Sequence, residues 1–122
     1  MKNASVVRGA EVEVIQAPWG TLQWLISARN GSSDAMTVGR VTFKPGQANP
    51  RHHHPNCEET LVVVTGQIDH LLPDGASVLL GPGDCVVIPR NGVHRARNTS
   101  DIEAVVIVAF DSANRETINE PV

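Results

Sequence analysis

Eight prolines and ten glycines cut the chain into short runs rich in valine, isoleucine, leucine and threonine. Nowhere do apolar residues recur at three- and four-residue spacing over a helix-length window, so the periodicity argues for strands and against helices. The expected strands are "EVEVIQA", "TLQWLIS", "MTVGRVTF", Arg51 to His54, "ETLVVVT", "QIDHLL", "SVLL", "DCVVIP", "HRARN" and "AVVIVAF". Between them stand turn formers: "NGSSD", "KPGQANP", Gly66, "LPDGA", "GPGD", "RNG" and "NTSD", each with the proline, glycine or Asn/Asp chemistry that reverses a chain. Many short strands at this spacing make an all-β sandwich or barrel. One domain is expected over residues 1–122, with 1–10 and 112–122 as flexible ends. The polar tail "DSANRETINEPV" leaves three options open: a frayed end, a short helix, or a cover for the barrel.

Bulk charge narrows the range of partners. Ten basic and 13 acidic residues give a net charge of −3, without the basic stripe of a nucleic-acid binder. Although 41% of the residues are hydrophobic, no apolar run approaches the roughly 20 residues of a membrane span. The first ten residues lack the apolar core of a signal peptide, so the expected location is the cytoplasm. Cys57 and Cys85 are too few for a disulfide scaffold.

Three of the five histidines fall in "RHHHPNCEE", residues 51–59. In an extended strand, side chains two apart share a face, so His52 and His54 project together and His53 points away. Glu59 heads the apolar inward face that continues with Leu61 and Val63. A carboxylate there needs a partner, because an unpaired buried charge is costly. A divalent cation would be that partner, and two histidines with one carboxylate form the ligand set of many non-haem iron sites.

The spacing resembles the two signatures of the cupin superfamily. "GQANPRHHHPNCEETLVVVTG" places Gly46, His52, His54, Glu59 and Gly66 at every fixed position of the first, and "GDCVVIPRNGVHRARN" places Gly83, Pro89, His94 and Asn98 in the second. One glycine departs: it falls at Gly92, with Asn91 in its expected place, and Asn tolerates the left-handed turn better than most residues. The 16 residues between the signatures, Gln67 to Pro82, resemble the compact single-domain bacterial members. The resemblance implies a single jelly-roll β-barrel and a four-ligand site of His52, His54, Glu59 and His94. That site would hold one divalent transition metal, Fe(II) first, with Mn, Ni, Zn, Co or Cu as alternatives. Two open positions would take water, dioxygen or substrate. It further implies a small-molecule substrate and a homodimer, in which the N-terminal strand pairs with the partner's sheet.

Other residues divide between chemistry and packing. Slippage by one residue would substitute Glu58 for Glu59. Cys57 is read as a buried hydrophobe or as a reactive thiol. His70 is placed either at the far end of the cavity, as an acid or base, or hydrogen-bonded on an exposed strand. Arg40 is the candidate anchor for a substrate carboxylate, whereas Arg95 and Arg97 fall opposite His94 and read as surface. Leu22, Trp24 and Ile26 share one side of a strand that lines a core or an interface. The complete absence of tyrosine disfavours cupin chemistries that use a tyrosine base or a cysteine and tyrosine pair. The expected function is a metal-dependent enzyme on a small oxygen-rich or anionic metabolite, dioxygenase chemistry first, with Glu59, His70 and Arg40 as catalytic candidates. Metal-assisted isomerisation, cyclisation or lysis, and binding without turnover, are the alternatives.

Overall fold

The computed structural model describes residues 3–121. Among them, strands β1 (Ile15–Ala17), β2 (Gly20–Ile26), β3 (Thr37–Phe43), β4 (His52–His53), β5 (Glu59–Thr65), β6 (Ile68–Leu71), β7 (Ser77–Leu80), β8 (Cys85–Ile88), β9 (Arg95–Asn98), β10 (Ala104–Phe110) and β11 (Ile118–Asn119) follow in order. They form a six-stranded sheet β1-β2-β3-β10-β5-β8, a three-stranded sheet β7-β6-β9 and the pair β11-β4. Every ladder is antiparallel, so the fold is all-β. No helix among the described residues is long and apolar enough to cross a membrane.

Alternation decides what each strand buries. On β10 every second residue, from Ala104 through Val106 and Val108 to Phe110, is buried, and those between are half-exposed, as a strand with one face on a core requires. The core gathers Val41 and Phe43 of β3, Leu61 and Val63 of β5, and that face of β10. From the smaller sheet it takes Ile68, Leu80 and Ala96. The two sheets therefore close on one another through their inward faces.

The strand expected at "EVEVIQA" is a correction. Only Ile15–Ala17 is strand, while Gly9–Glu11 forms a 3-10 turn. The Gln23 side-chain amide donates to the carbonyls of Gly9 and Val12, so those acceptors are taken up by a side chain and not by a ladder. The tail takes the last of its three options. Its β11 pairs with β4, the Glu120 N–H donates to the Arg51 carbonyl, and Asn56 bonds both Asn114 and Glu116.

Gly39 interrupts a strand rich in β-branched residues, Thr37, Val38, Val41 and Thr42, for a steric reason. A Cβ at this position would stand 2.6 Å from the Trp24 ring and 3.1 Å from Val108. Gly39→Ala should therefore cost about 1–3 kcal/mol, the usual penalty of overpacking, and shift the tryptophan emission. Denaturant unfolding followed by fluorescence checks this, and a spectrum and midpoint identical to the parent's would contradict it.

Candidate metal centre

Two segments far apart in sequence meet at one point. The backbones of His52 and His94 exchange hydrogen bonds at 3.0 and 2.9 Å, which fixes the first signature against the second. Asn91 contributes to the same junction. It is the non-glycine residue with positive φ among the described residues, at 68°, and its N–H donates to the His54 carbonyl. The asparagine standing where the signature has glycine thus adopts the turn that glycine would. Asn98, fully buried, donates its side-chain amide to the carbonyls of Phe43 and Ile102 and ties β9 to the large sheet.

The donor atoms of His52, His54, Glu59 and His94 lie within 4.8 Å of one another, and all four residues are buried. His53 points away, as alternation requires, and its Nδ1 meets Glu120 Oε1. Each ligand histidine is clamped from behind. Nδ1 of His52 bonds the Pro50 carbonyl at 2.6 Å, that of His54 the Glu116 carbonyl at 2.8 Å, and that of His94 the Gly92 carbonyl at 2.8 Å. A carbonyl can only accept, so the proton sits on Nδ1 and a neutral ring presents its lone pair at Nε2.

That tautomer makes the centre of the cluster a fit for a cation. Nε2 of His54 and Nε2 of His94 each stand 3.0 Å from Glu59 Oε1. With neutral rings, two nitrogen lone pairs would face a carboxylate oxygen, an arrangement that only a proton on Nε2 or a positive ion between the atoms can hold. Burial pushes the Glu59 carboxyl upward, but where Nε2 carries a proton the hydrogen bonds from His54 and His94 outweigh it and bring it down to about 2. His52 is driven to about 4 by burial and by the neighbouring His94, so it is neutral near pH 7 and free to donate its lone pair. Burial lowers His94 as well, but the Glu59 carboxylate more than offsets this and raises it. The cluster could hold a divalent metal through three imidazoles and one carboxylate.

The cluster opens into a cavity of about 280 Å³ whose wall includes His52, His54 and Glu59. Trp19, Trp24, Phe43 and Phe110 line it too, and these are all the aromatic residues of the chain's Trp, Tyr and Phe complement. Leu22, Val41, Pro50, Leu61, Val106 and Val108 complete the apolar wall. Asn49, Arg115, Thr117 and Asn119 supply further polar groups.

Three candidates sit elsewhere. Arg40 is exposed on β3 and absent from the cavity wall, because Thr37, Gly39 and Val41 take the inward positions; its placement does not support an anchoring role. His70 is neither on the cavity wall nor on an exposed strand. It is wholly buried behind His94, the two rings parallel within 9° at 5.7 Å. Its Nδ1 meets the Leu71 carbonyl and its Nε2 has no partner among the described residues. Burial lowers it to about 4. Cys57 is 1% exposed within the hydrophobic core, and burial pushes its thiol up, which is the packing role. Arg115, which sequence reasoning passed over, lines the cavity. Its only signal was a lone cation soon after the last long strand.

The family model described as "Cupin domain" matches residues 39–110. The chain belongs to the cupin family. A germin-like protein of rice, Oryza sativa subsp. japonica, is 37% identical over 81 residues, covering 63% of this chain and 36% of that protein. The cupin chain thus spans less than half the length of the curated relatives it matches. Among solved structures, the Bacillus subtilis oxalate decarboxylase superposes with a TM-score of 0.83 at 23% identity, covering 92% of this chain and 30% of that one. The polyketide cyclase RemF of Streptomyces resistomycificus superposes with a TM-score of 0.79 at 23% identity, covering 98% and 87%. These likenesses show the jelly-roll fold.

Proposed function

We propose that this cupin is a ferrous-iron-dependent enzyme that oxidises a small, oxygen-bearing metabolite with dioxygen. The observation that carries the reading is the scarcity of proton acceptors around the substrate space. Apart from His52, His54 and Glu59, the cavity's polar side chains are two asparagines, one threonine and one arginine, none of which takes up a proton near neutral pH. An isomerase or lyase needs such a base beside the bond it breaks. Ferrous iron at the cluster would supply the redox chemistry and the open positions for oxygen and substrate.

The chain's own residues do the rest. The carbonyls of Pro50, Glu116 and Gly92 hold the three imidazoles in one tautomer, which orients their lone pairs before anything binds. The apolar and aromatic side chains of the wall keep water scarce, which strengthens electrostatic interactions at the site. A second reading, metal-assisted isomerisation or cyclisation, rests on Glu59, the one carboxylate on that wall, which could move a proton if released from the cation. A homodimer is part of the proposal: β1 leaves one edge of the six-stranded sheet unpaired, a position suited to strand pairing with a second copy.

An oxygen electrode tests this. Protein reconstituted with Fe(II) is mixed with a panel of diketones, phenols and thiols under air and under argon. Oxygen uptake stoichiometric with product, lost on substitution by Zn(II), is expected. Turnover of the same substrate under argon with Mn, Ni, Co or Zn would replace the oxygenase reading by the second one.

A further inference from the structure

The cavity carries one cation, Arg115, with no carboxylate at ion-pair distance among the described residues. Arg115 lies with its guanidinium carbon 3.7 Å from the centroid of the Trp24 ring and 5.5 Å from that of Phe110. One of its N–H groups, on Nη1, donates to Thr117 Oγ1 at 2.7 Å. Among the described residues no carboxylate comes within ion-pair distance of it; Glu13 meets Arg29, Glu120 meets His53, and Glu59 meets His54 and His94. A guanidinium offers five donors in a planar fork, so most of this fork is unused. Packing against the Trp24 face holds it in place, a contact that favours the cation, while burial works against the charge and lowers its pKa. An anion from outside would relieve that cost and fill the fork.

The other walls say what the anion is attached to. All four Trp and Phe rings of the chain, Trp19, Trp24, Phe43 and Phe110, surround the space together with six aliphatic side chains. A ligand made only of charged groups would leave these surfaces without apolar contact, whereas a planar ring stacks on them. The reach is also set. Phe110 touches the His54 ring at 4.9 Å between centroids and Arg115 at 5.5 Å, so the ligand cluster and the guanidinium are neighbours across a single aromatic side chain. The volume, about 280 Å³, lies just below the roughly 300–1,000 Å³ of ordinary ligand sites, which suits a small ligand.

We propose that Arg115 anchors the carboxylate of the substrate, and that the substrate is a small one-ring aromatic carboxylic acid lying among the four aromatic side chains with an oxygen substituent turned toward His52, His54 and Glu59. This rests on the proposed function only in placing the substrate in this cavity.

Trp19 and Trp24 are the chain's two tryptophans and both line the cavity, so their emission reports occupancy without any turnover. The test titrates benzoate, benzamide and acetate into zinc-loaded and metal-free protein, with bound metal measured on the same samples. Benzoate should bind at least tenfold more tightly than benzamide, its uncharged near-isostere, and more tightly than acetate, which lacks the ring. Arg115→Gln should weaken benzoate by about 10–100-fold, the loss expected of hydrogen bonds to a charged group, and leave benzamide unchanged. Equal affinities for benzoate and benzamide in the parent protein would overturn the proposal without recourse to a variant. So would an Arg115→Gln protein that binds benzoate as the parent does, or an emission that none of the three probes changes saturably. Protein that retains no metal yet prefers benzoate through Arg115 would defeat the metal reading alone. Protein that holds its metal but ignores the charge at position 115 would defeat this inference alone.

Discussion

Replacing His94 with alanine should reduce metal affinity by more than the roughly 10–100-fold that loss of an outer partner costs, with His52→Ala and His54→Ala behaving alike. The fold should survive, because the His52 and His94 backbones remain bridged whatever their side chains are. The metal-free His94→Ala protein should nevertheless be less stable by about 1–3 kcal/mol, since the buried Glu59 carboxylate loses one of its two hydrogen-bond partners. Glu59→Gln separates the two effects. Its amide oxygen can accept from a protonated histidine Nε2 and its nitrogen can donate to a neutral one, so the metal-free variant should stay within about 1–3 kcal/mol of the parent. Added metal should then stabilise the parent far more than the variant, in proportion to the logarithm of ligand concentration over dissociation constant. Elemental analysis after dialysis, together with denaturant unfolding with and without metal, reads both. Unchanged metal content in all three histidine variants would contradict the assignment.

The second large effect is acid sensitivity. His52 and His70 are each lowered to about 4 in the folded chain, against about 6.5 when unfolded. Between those values the unfolded chain binds protons that the folded one refuses. Stability present above pH 6.5 is therefore lost as pH falls toward 4, on the order of 3 kcal/mol for each group. Glu59, lowered to about 2, adds a loss of the same sign between about pH 4.5 and 2. His94 works in the other direction: its raised value contributes stability that is full below the unfolded pKa and fades as pH rises through the folded one. The two depressed histidines outweigh it, so chelator-treated protein should weaken by several kcal/mol from pH 7 to pH 4.5. Metal affinity should fall over the same range, since protons compete for the same nitrogen lone pairs. A flat unfolding free energy across this interval would contradict the burial described here.

Local chemistry explains what was legible in the sequence. The period-2 runs and the turn residues between them were enough to locate every strand from β2 to β10, most plainly β5 and β10, where the apolar alternation meets a single buried face. The "HHH" run declared its own geometry, with His52 and His54 inward and His53 outward. What escaped depends on contacts that no local pattern announces. The carbonyls of Gly9 and Val12 are taken by a side chain from β2, which unmakes most of the first expected strand. Residues 118–119 form a strand only because β4 offers them a free edge. Arg40 and Arg115 show the same limit at the site: both are cations near apolar strands, but facing is decided by the register of β3 in one case and by the Trp24 ring in the other. His70 reads as a residue at the far end of the cavity or on an exposed strand, yet tertiary packing buries it behind His94.

The central claim is that three imidazoles and one carboxylate share a single ion, and X-ray absorption spectroscopy on zinc-loaded protein tests it most directly. A first shell containing three imidazole nitrogens and a carboxylate oxygen at about 2.0–2.2 Å is expected, with one histidine contribution fewer in His94→Ala. A shell dominated by water oxygens, or one that His94→Ala leaves unchanged, would contradict it.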